Sequence, residues 1–132
     1  CVPYANFVAG ELSYGTVGFF LGRAQKGEDI SLFGDGGLRR TFTHVWDVCR
    51  QMAEVAALPE SSGRVFNIEG ETFSLKEVAA LIADKFGVRL RFASWPDNAL
   101  KLESGDTIFD GGRIRALLPQ TLTYSFEKWI HS

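Results

Sequence analysis

Arg39 and Arg40 follow the run Gly34-Asp35-Gly36-Gly37, and two short β-prone stretches, Ile30 to Phe33 and Thr41 to Val45, flank that turn. A guanidinium presents a planar fork of N–H donors that matches the oxygens of a phosphate. Glycines let the backbone approach a ligand closely. The chemistry suited to these types at this spacing is anion recognition, with one arginine turned toward the anion and the other toward solvent. The same residues also allow a plainer arrangement, an ordinary hairpin in which Arg40 pairs with Asp35 or Asp47.

Other reactive groups are scattered. Cys1 and Cys49 are isolated, and His44 and His131 are the remaining soft ligands, so no metal site and no disulfide framework is expected. Cys49 is expected to be a buried helix residue. Tyr124 and Lys128 stand four residues apart. Two residue types at one spacing recur often by chance, and the pair is not taken as catalytic.

The elements that position these residues belong to one domain spanning 1–132. A hydrophobic content of 45% and a charged content of 23% are those of a chain that owns a core and not of a disordered one. A net charge of -2 from interspersed acids and bases gives no footprint for nucleic acid or an anionic membrane surface. No apolar run approaches the length of a membrane span, and Cys-Val-Pro-Tyr-Ala-Asn lacks the form of a signal peptide. The expectation is a cytoplasmic protein with neither nucleic acid nor membrane as partner. The chain starts without Met in what reads as a loop, which suggests a piece of something longer.

Residues 1–16 carry Pro3 and several breakers and read as loop. Val17, Phe20, Leu21 and Ala24 predict an amphipathic helix stopped by Gly27. Asp47 is placed to cap a helix running to about Leu58, with Val48, Met52 and Val55 on its inner face. Arg64 to Ile68 is a continuous run of the kind found in buried parallel strands. Ser74-x-x-Glu77 is a capping box opening a helix whose stripe is Leu75, Val78, Ala79, Ile82 and Phe86, closed by Gly87. Arg89 to Ala93 alternates as a half-exposed strand. Trp95 to Asn98 reads as a turn, 100–105 as irregular, and Asp110 as the cap of a short helix through Leu118. Phe126, Trp129 and Ile130 mark a last helical turn. The sum is an α/β fold with a few short strands and about four to five helices.

Gly34-Asp35-Gly36, Arg40, Phe42, His44-Val45 and Asp47 resemble the "GDG…R-x-F-x-(H/Y)-V-x-D" segment of extended short-chain dehydrogenase/reductases, the NAD(P)-dependent epimerases and dehydratases of nucleotide sugars. Val65-Phe66-Asn67-Ile68 with Ser74 and Glu77 is similar to the next block of that family, with a turn one residue tighter and Glu69 where a glycine is usual. Asp110-Gly111-Gly112-Arg113 resembles a later Asp-x-(S/T)-K patch, with Arg for Lys. Family members often carry a second phosphate-facing arginine shortly before that Asp. The interval Asp97 to Asp106 offers only Lys101.

The resemblance implies the C-terminal, substrate-binding part of an extended Rossmann-type fold. Arg40 would bind the diphosphate of a nucleotide sugar, with Leu32 and Phe33 against the nucleobase, Gly34 at the turn and Lys101 as a weaker second cation. Trp46 and Trp95 read as packing residues, with a border to the sugar pocket as the alternative for Trp95 beside Pro96, while His44 and Asn67 would make structural hydrogen bonds. The family's Gly-x-x-Gly-x-x-Gly cradle for NAD or NADP does not occur here, and its catalytic Tyr-x-x-x-Lys pair lies upstream of everything present, so no residue is assigned a catalytic role. NAD or NADP would belong to the full-length parent, none being expected on this chain alone. The partner is then the missing N-terminal Rossmann half, with a homodimer as a further partner. The implied function is the nucleotide-sugar-binding portion of an epimerase or dehydratase, UDP-glucose 4-epimerase-like, within isomerase or lyase chemistry. The alternative is a non-catalytic nucleotide- or protein-binding module on the same fold.

Overall fold

The structure, a computed structural model, describes residues 1–5 and 15–132. In chain order it holds β1 (Val2–Tyr4), α1 (Thr16–Gln25), β2 (Ile30–Phe33), β3 (Arg39–His44), α2 (Val45–Ala56), β4 (Glu71–Ser74), α3 (Leu75–Phe86), β5 (Leu90–Ala93), α4 (Asp97–Leu102), α5 (Gly112–Arg115) and α6 (Phe126–His131). The α/β class is the one expected. Helix α4 stands where the sequence predicts turn and irregular chain; Pro96 precedes it, with Asp97 in its first turn and Lys101 in its last, both favourable to the helix dipole. The expected loop at the N-terminus contains strand β1, and the rest of that loop, residues 6–14, lies outside the described residues.

The two stretches that flank Gly34–Leu38 are strands, but they do not form a hairpin. Strand β2 pairs in parallel with β5, Ile30 opposite Leu90 and Phe33 opposite Ala93. Strand β3 lies between β1, parallel, and β4, antiparallel. The turn therefore passes the chain from one sheet to another. It is fixed against the start of α3, where Lys76 N–H donates to the Gly36 carbonyl and Leu75 N–H to that of Leu38, both at 2.9 Å.

Helix α3 holds the two sheets together. Ser74 and Glu77 form the reciprocal capping box, and Gly87 ends the helix at φ 67°, a left-handed conformation that glycine takes without strain. Val78, Ala79 and Ile82 are fully buried against Val17, Phe20 and Leu21 of α1, Ile30 and Leu32 of β2, Phe42 of β3 and Phe126 of α6. Burial of one such aliphatic or aromatic side chain stabilises by roughly 1.5–3 kcal/mol. Phe86 falls outside the stripe, at the exposed end of α3.

Helix α2 is built differently from its expected apolar face. Its inward residues are Asp47, Gln51 and Val55, while Met52 is 60% exposed and Cys49, expected inside, is exposed as well. Val55 packs with Ile114 and Leu118, and the rest of the inner face carries hydrogen bonds. The Gln51 amide donates to the carbonyls of Glu69 and Thr121 and accepts from Glu69 N–H. Asp47 does not cap α2. His44 does, its Nδ1 accepting from Trp46 N–H at 3.3 Å, and Asp47 lies in the first turn.

Residues 64–70 form no strand, against the expectation for Arg64 to Ile68. Phe66 and Ile68 pack on Ile114 and Leu118, and Val65 is 76% exposed. Asn67 donates to the Asp110 carbonyl at 3.1 Å, a structural hydrogen bond as expected. Among the described residues no helix is long and apolar enough to cross a membrane.

Candidate functional site

The candidate site lies where the Gly34–Leu38 turn joins β2 to β3, under the stretch that runs from Trp95 to Thr107. That stretch touches both strands. At its beginning, the Trp95 ring packs on Phe33 with centroids 5.2 Å apart. At its end, Thr107 N–H donates to the Arg39 carbonyl at 2.9 Å, and Thr107 and Arg40 form a single parallel bridge. The five residues singled out from the sequence all belong to this region, but not in one role.

Alternation along β2 separates Leu32 from Phe33. Leu32 is 3% exposed and part of the core, whereas Phe33 is 45% exposed on the opposite face. Leu32 and Phe33 thus do not form one platform; the aromatic partner of Phe33 is Trp95. Gly34 has φ 62°, and a Cβ there would sit 2.8 Å from Trp95 Nε1, so the indole occupies the space that only glycine leaves open. Its amide donates to the Ala93 carbonyl, which ties the turn to β5. Asp35 accepts from Gly37 N–H at 2.8 Å and serves its own turn.

Arg40 extends from β3 under the Glu103–Thr107 segment and is bound by it. Its Nη2 meets Glu103 Oε1 at 2.8 Å, and its Nη1 donates to the carbonyls of Gly105 at 2.7 Å and Arg39 at 2.9 Å. Neither Asp35 nor Asp47 is its partner. Glu103 was not singled out from the sequence, since a lone carboxylate in an irregular stretch carries no periodic or motif signal. Arg39 N–H is held by the Asp106 carboxylate at 2.8 Å. Lys101 is an exposed residue of α4, two positions before Glu103.

A second cluster borders α2. Asp47 is 1% exposed; its Oδ2 accepts from the amides of Thr123 and Tyr124 at 2.8 and 2.9 Å, and its Oδ1 pairs with Arg50. Burial acts to raise this carboxyl, but the two amides and the guanidinium outweigh it and hold it below the usual carboxylate range. Burial pushes the His44 imidazole down, against the opposing charge of Asp47, which favours the neutral ring that its capping bond requires. An open cleft of about 510 Å³ next to this cluster is lined by His44, Trp46, Tyr124, Lys128 and Trp129. Tyr124 precedes α6 and stacks on His44, so Tyr124 and Lys128 do not share a helical face.

The sequence model of the NAD dependent epimerase/dehydratase family matches residues 4–68, just under half of the chain. No curated protein matches at a significant level. Among solved structures, Pal from Bacillus thuringiensis superposes with a TM-score of 0.81 at 18% identity, over 98% of this chain and 41% of that one. UDP-glucose 4-epimerase from Thermotoga maritima, solved with UDP-glucose, gives 0.76 at 22% identity, over 97% and 40%. The dTDP-glucose 4,6-dehydratase DesIV from Streptomyces venezuelae, solved with NAD, gives 0.74 at 22%, over 99% and 41%. The chain shares their fold and spans about two fifths of their length.

Proposed function

We propose that this chain is the nucleotide-sugar-binding portion of an NAD(P)-dependent epimerase or dehydratase, and that a dinucleotide-binding Rossmann half completes it. The observation that carries this reading is Arg40 on β3, a partly buried guanidinium that follows the turn after Phe33, whose ring packs on Trp95. A guanidinium suits a diphosphate and an aromatic pair suits a base. The family match over residues 4–68 and the fold it shares with epimerases and dehydratases support it. The Val65–Ile68 run, through its exposed Val65, and the exposed face of α2 are surfaces for the other half to cover.

The chain's residues do not fit a dinucleotide. It has no Gly-x-x-Gly-x-x-Gly turn between a strand and a helix, so no hydride chemistry is assigned to it and its role is to hold and orient the sugar. A second reading, a nucleotide- or protein-binding module without chemistry, draws support from Glu103 on Arg40, a carboxylate where a ligand's anion would sit.

Calorimetric titration with UDP-, dTDP-, CDP- and GDP-hexoses, with NAD in parallel, tests the proposal. Binding of one nucleotide sugar that Arg40→Ala abolishes, with no binding of NAD, is expected. Nucleotide-sugar binding that survives Arg40→Ala overturns the assigned site.

A further inference from the structure

We propose that Glu103 determines what Arg40 accepts: it is an internal carboxylate that masks the guanidinium against simple anions and must be displaced before an external phosphate is gripped. The diphosphate half of this statement rests on the nucleotide-sugar reading above; the masking itself does not.

The geometry is that of a built contact and not of a stray surface pair. Arg40 and Glu103 are 63 residues apart in sequence, meet at 2.8 Å, and keep only 17% and 21% of their side chains exposed. Fully exposed pairs contribute little because water screens them and two long side chains must be ordered. Here the order is already supplied. The Gly105 carbonyl fixes Arg40 Nη1, and Gly105 N–H donates to the same Glu103 oxygen at 3.1 Å. Asp106 and Thr107 fasten the segment to Arg39 from either side of its peptide. The carboxylate therefore reaches the guanidinium without further loss of conformational freedom, which gives it the advantage of an intramolecular competitor.

The consequence is selectivity by anchoring. A free phosphate or diphosphate offers Arg40 what Glu103 already supplies and makes no contact with the Phe33–Trp95 pair. A ligand that carries an aromatic base also gains contact with Phe33 and Trp95, and that added contact offsets the cost of lifting Glu103 away. A carboxylate at this place excludes abundant small anions and leaves the site to ligands anchored at both ends.

The test uses the full chain, wild type, Glu103→Gln, Arg40→Ala and the double variant, with inorganic diphosphate as calorimetric probe. Labelling of Arg40 by phenylglyoxal, read by mass spectrometry, follows in the absence of any ligand. Glu103→Gln is expected to bind diphosphate at least about tenfold tighter than wild type, to lose that gain when Arg40→Ala is added, and to label faster at Arg40. Glu103→Ser repeats the comparison should the glutamine keep the loop in place through its amide oxygen. Equal labelling in wild type and both Glu103 variants overturns the masking, as does a gain in affinity that survives Arg40→Ala. Faster labelling in variants that bind no nucleotide sugar upholds the masking and overturns the nucleotide-sugar reading instead.

Discussion

The imidazole of His44 lies almost parallel to the ring of Tyr124, with centroids 4.0 Å apart and planes 20° apart. The same imidazole caps α2 through Nδ1, so one side chain joins the helix start to the loop before α6. Burial depresses its pKa, so the folded state prefers the neutral ring. Its contribution to stability is complete above the ordinary histidine value of about 6.5 and is lost as pH falls through the depressed folded value. Urea unfolding between pH 5 and 8 is expected to show this loss in wild type and not in His44→Asn, which keeps a capping oxygen but cannot titrate. An identical slope in both proteins would falsify the assignment.

Asp47 makes the complementary prediction on the acid side. Its depressed carboxyl contributes stability above the ordinary Asp value of about 3.9, lost as pH falls through the folded one. Asp47→Asn leaves an acceptor for one amide and removes the charge that serves Arg50. A loss of roughly 1–3 kcal/mol at pH 7 is expected, shrinking as pH falls through the depressed folded value. Equal losses at pH 7 and pH 3 would mean that packing and not charge sets the effect.

Gly70 tests how closely the 64–70 segment sits on β3. A Cβ at this position would lie 2.3 Å from Thr43 Oγ1 and 2.5 Å from the Phe42 carbonyl, and neither side has a long side chain that can move away. Gly70→Ala is expected to destabilise by roughly 1–3 kcal/mol, read from chemical denaturation. Gly63→Ala, with nothing within 4 Å but φ 69°, is the control for backbone strain without a clash.

Trp46 at 67% exposure and Met52 at 60% stand on the outer face of α2 with exposed Cys49. The chain alone is expected to bind a hydrophobic dye or to self-associate at high concentration. Trp46→Lys with Met52→Lys is expected to reduce dye binding several-fold while changing stability by about 0.5 kcal/mol or less. A chain that is monomeric and dye-silent before any substitution would remove the support for a covering partner on this face.

Sequence and structure agree where a signal is local. Ser74 and Glu77 announce α3, Gly87 closes it, and the β-prone run 30–33 and the run 89–93 yield strands, although β5 is exposed from Arg91 to Ala93 and does not alternate. What could not be read is which strand pairs with which. Two β-prone runs around a glycine turn have the form of a hairpin, yet β2 finds β5 and β3 finds β1 and β4, since tertiary burial outweighs the short loop. Helix α2 misled for another reason: Asp47 and Gln51 face inward because the amides of 69, 123 and 124 need partners there, a demand set by distant backbone. The motif points to Arg40, and the structure gives that residue a carboxylate partner. Glu103 was not legible, because an ion pair across 63 residues leaves no trace in spacing.

The parallel pairing of β2 with β5, Ile30 opposite Leu90, requires the chain to close a long excursion before its first ladder bond forms. Local structure such as α3 can form early, but such long-range pairings come late. The Phe33–Trp95 contact and the Arg40–Glu103 pair both depend on that late closure. A chain stopped anywhere before Leu90 would carry the whole glycine-arginine motif and lack both Trp95 and Glu103, so the surroundings of the motif belong to the finished fold and not to the motif itself.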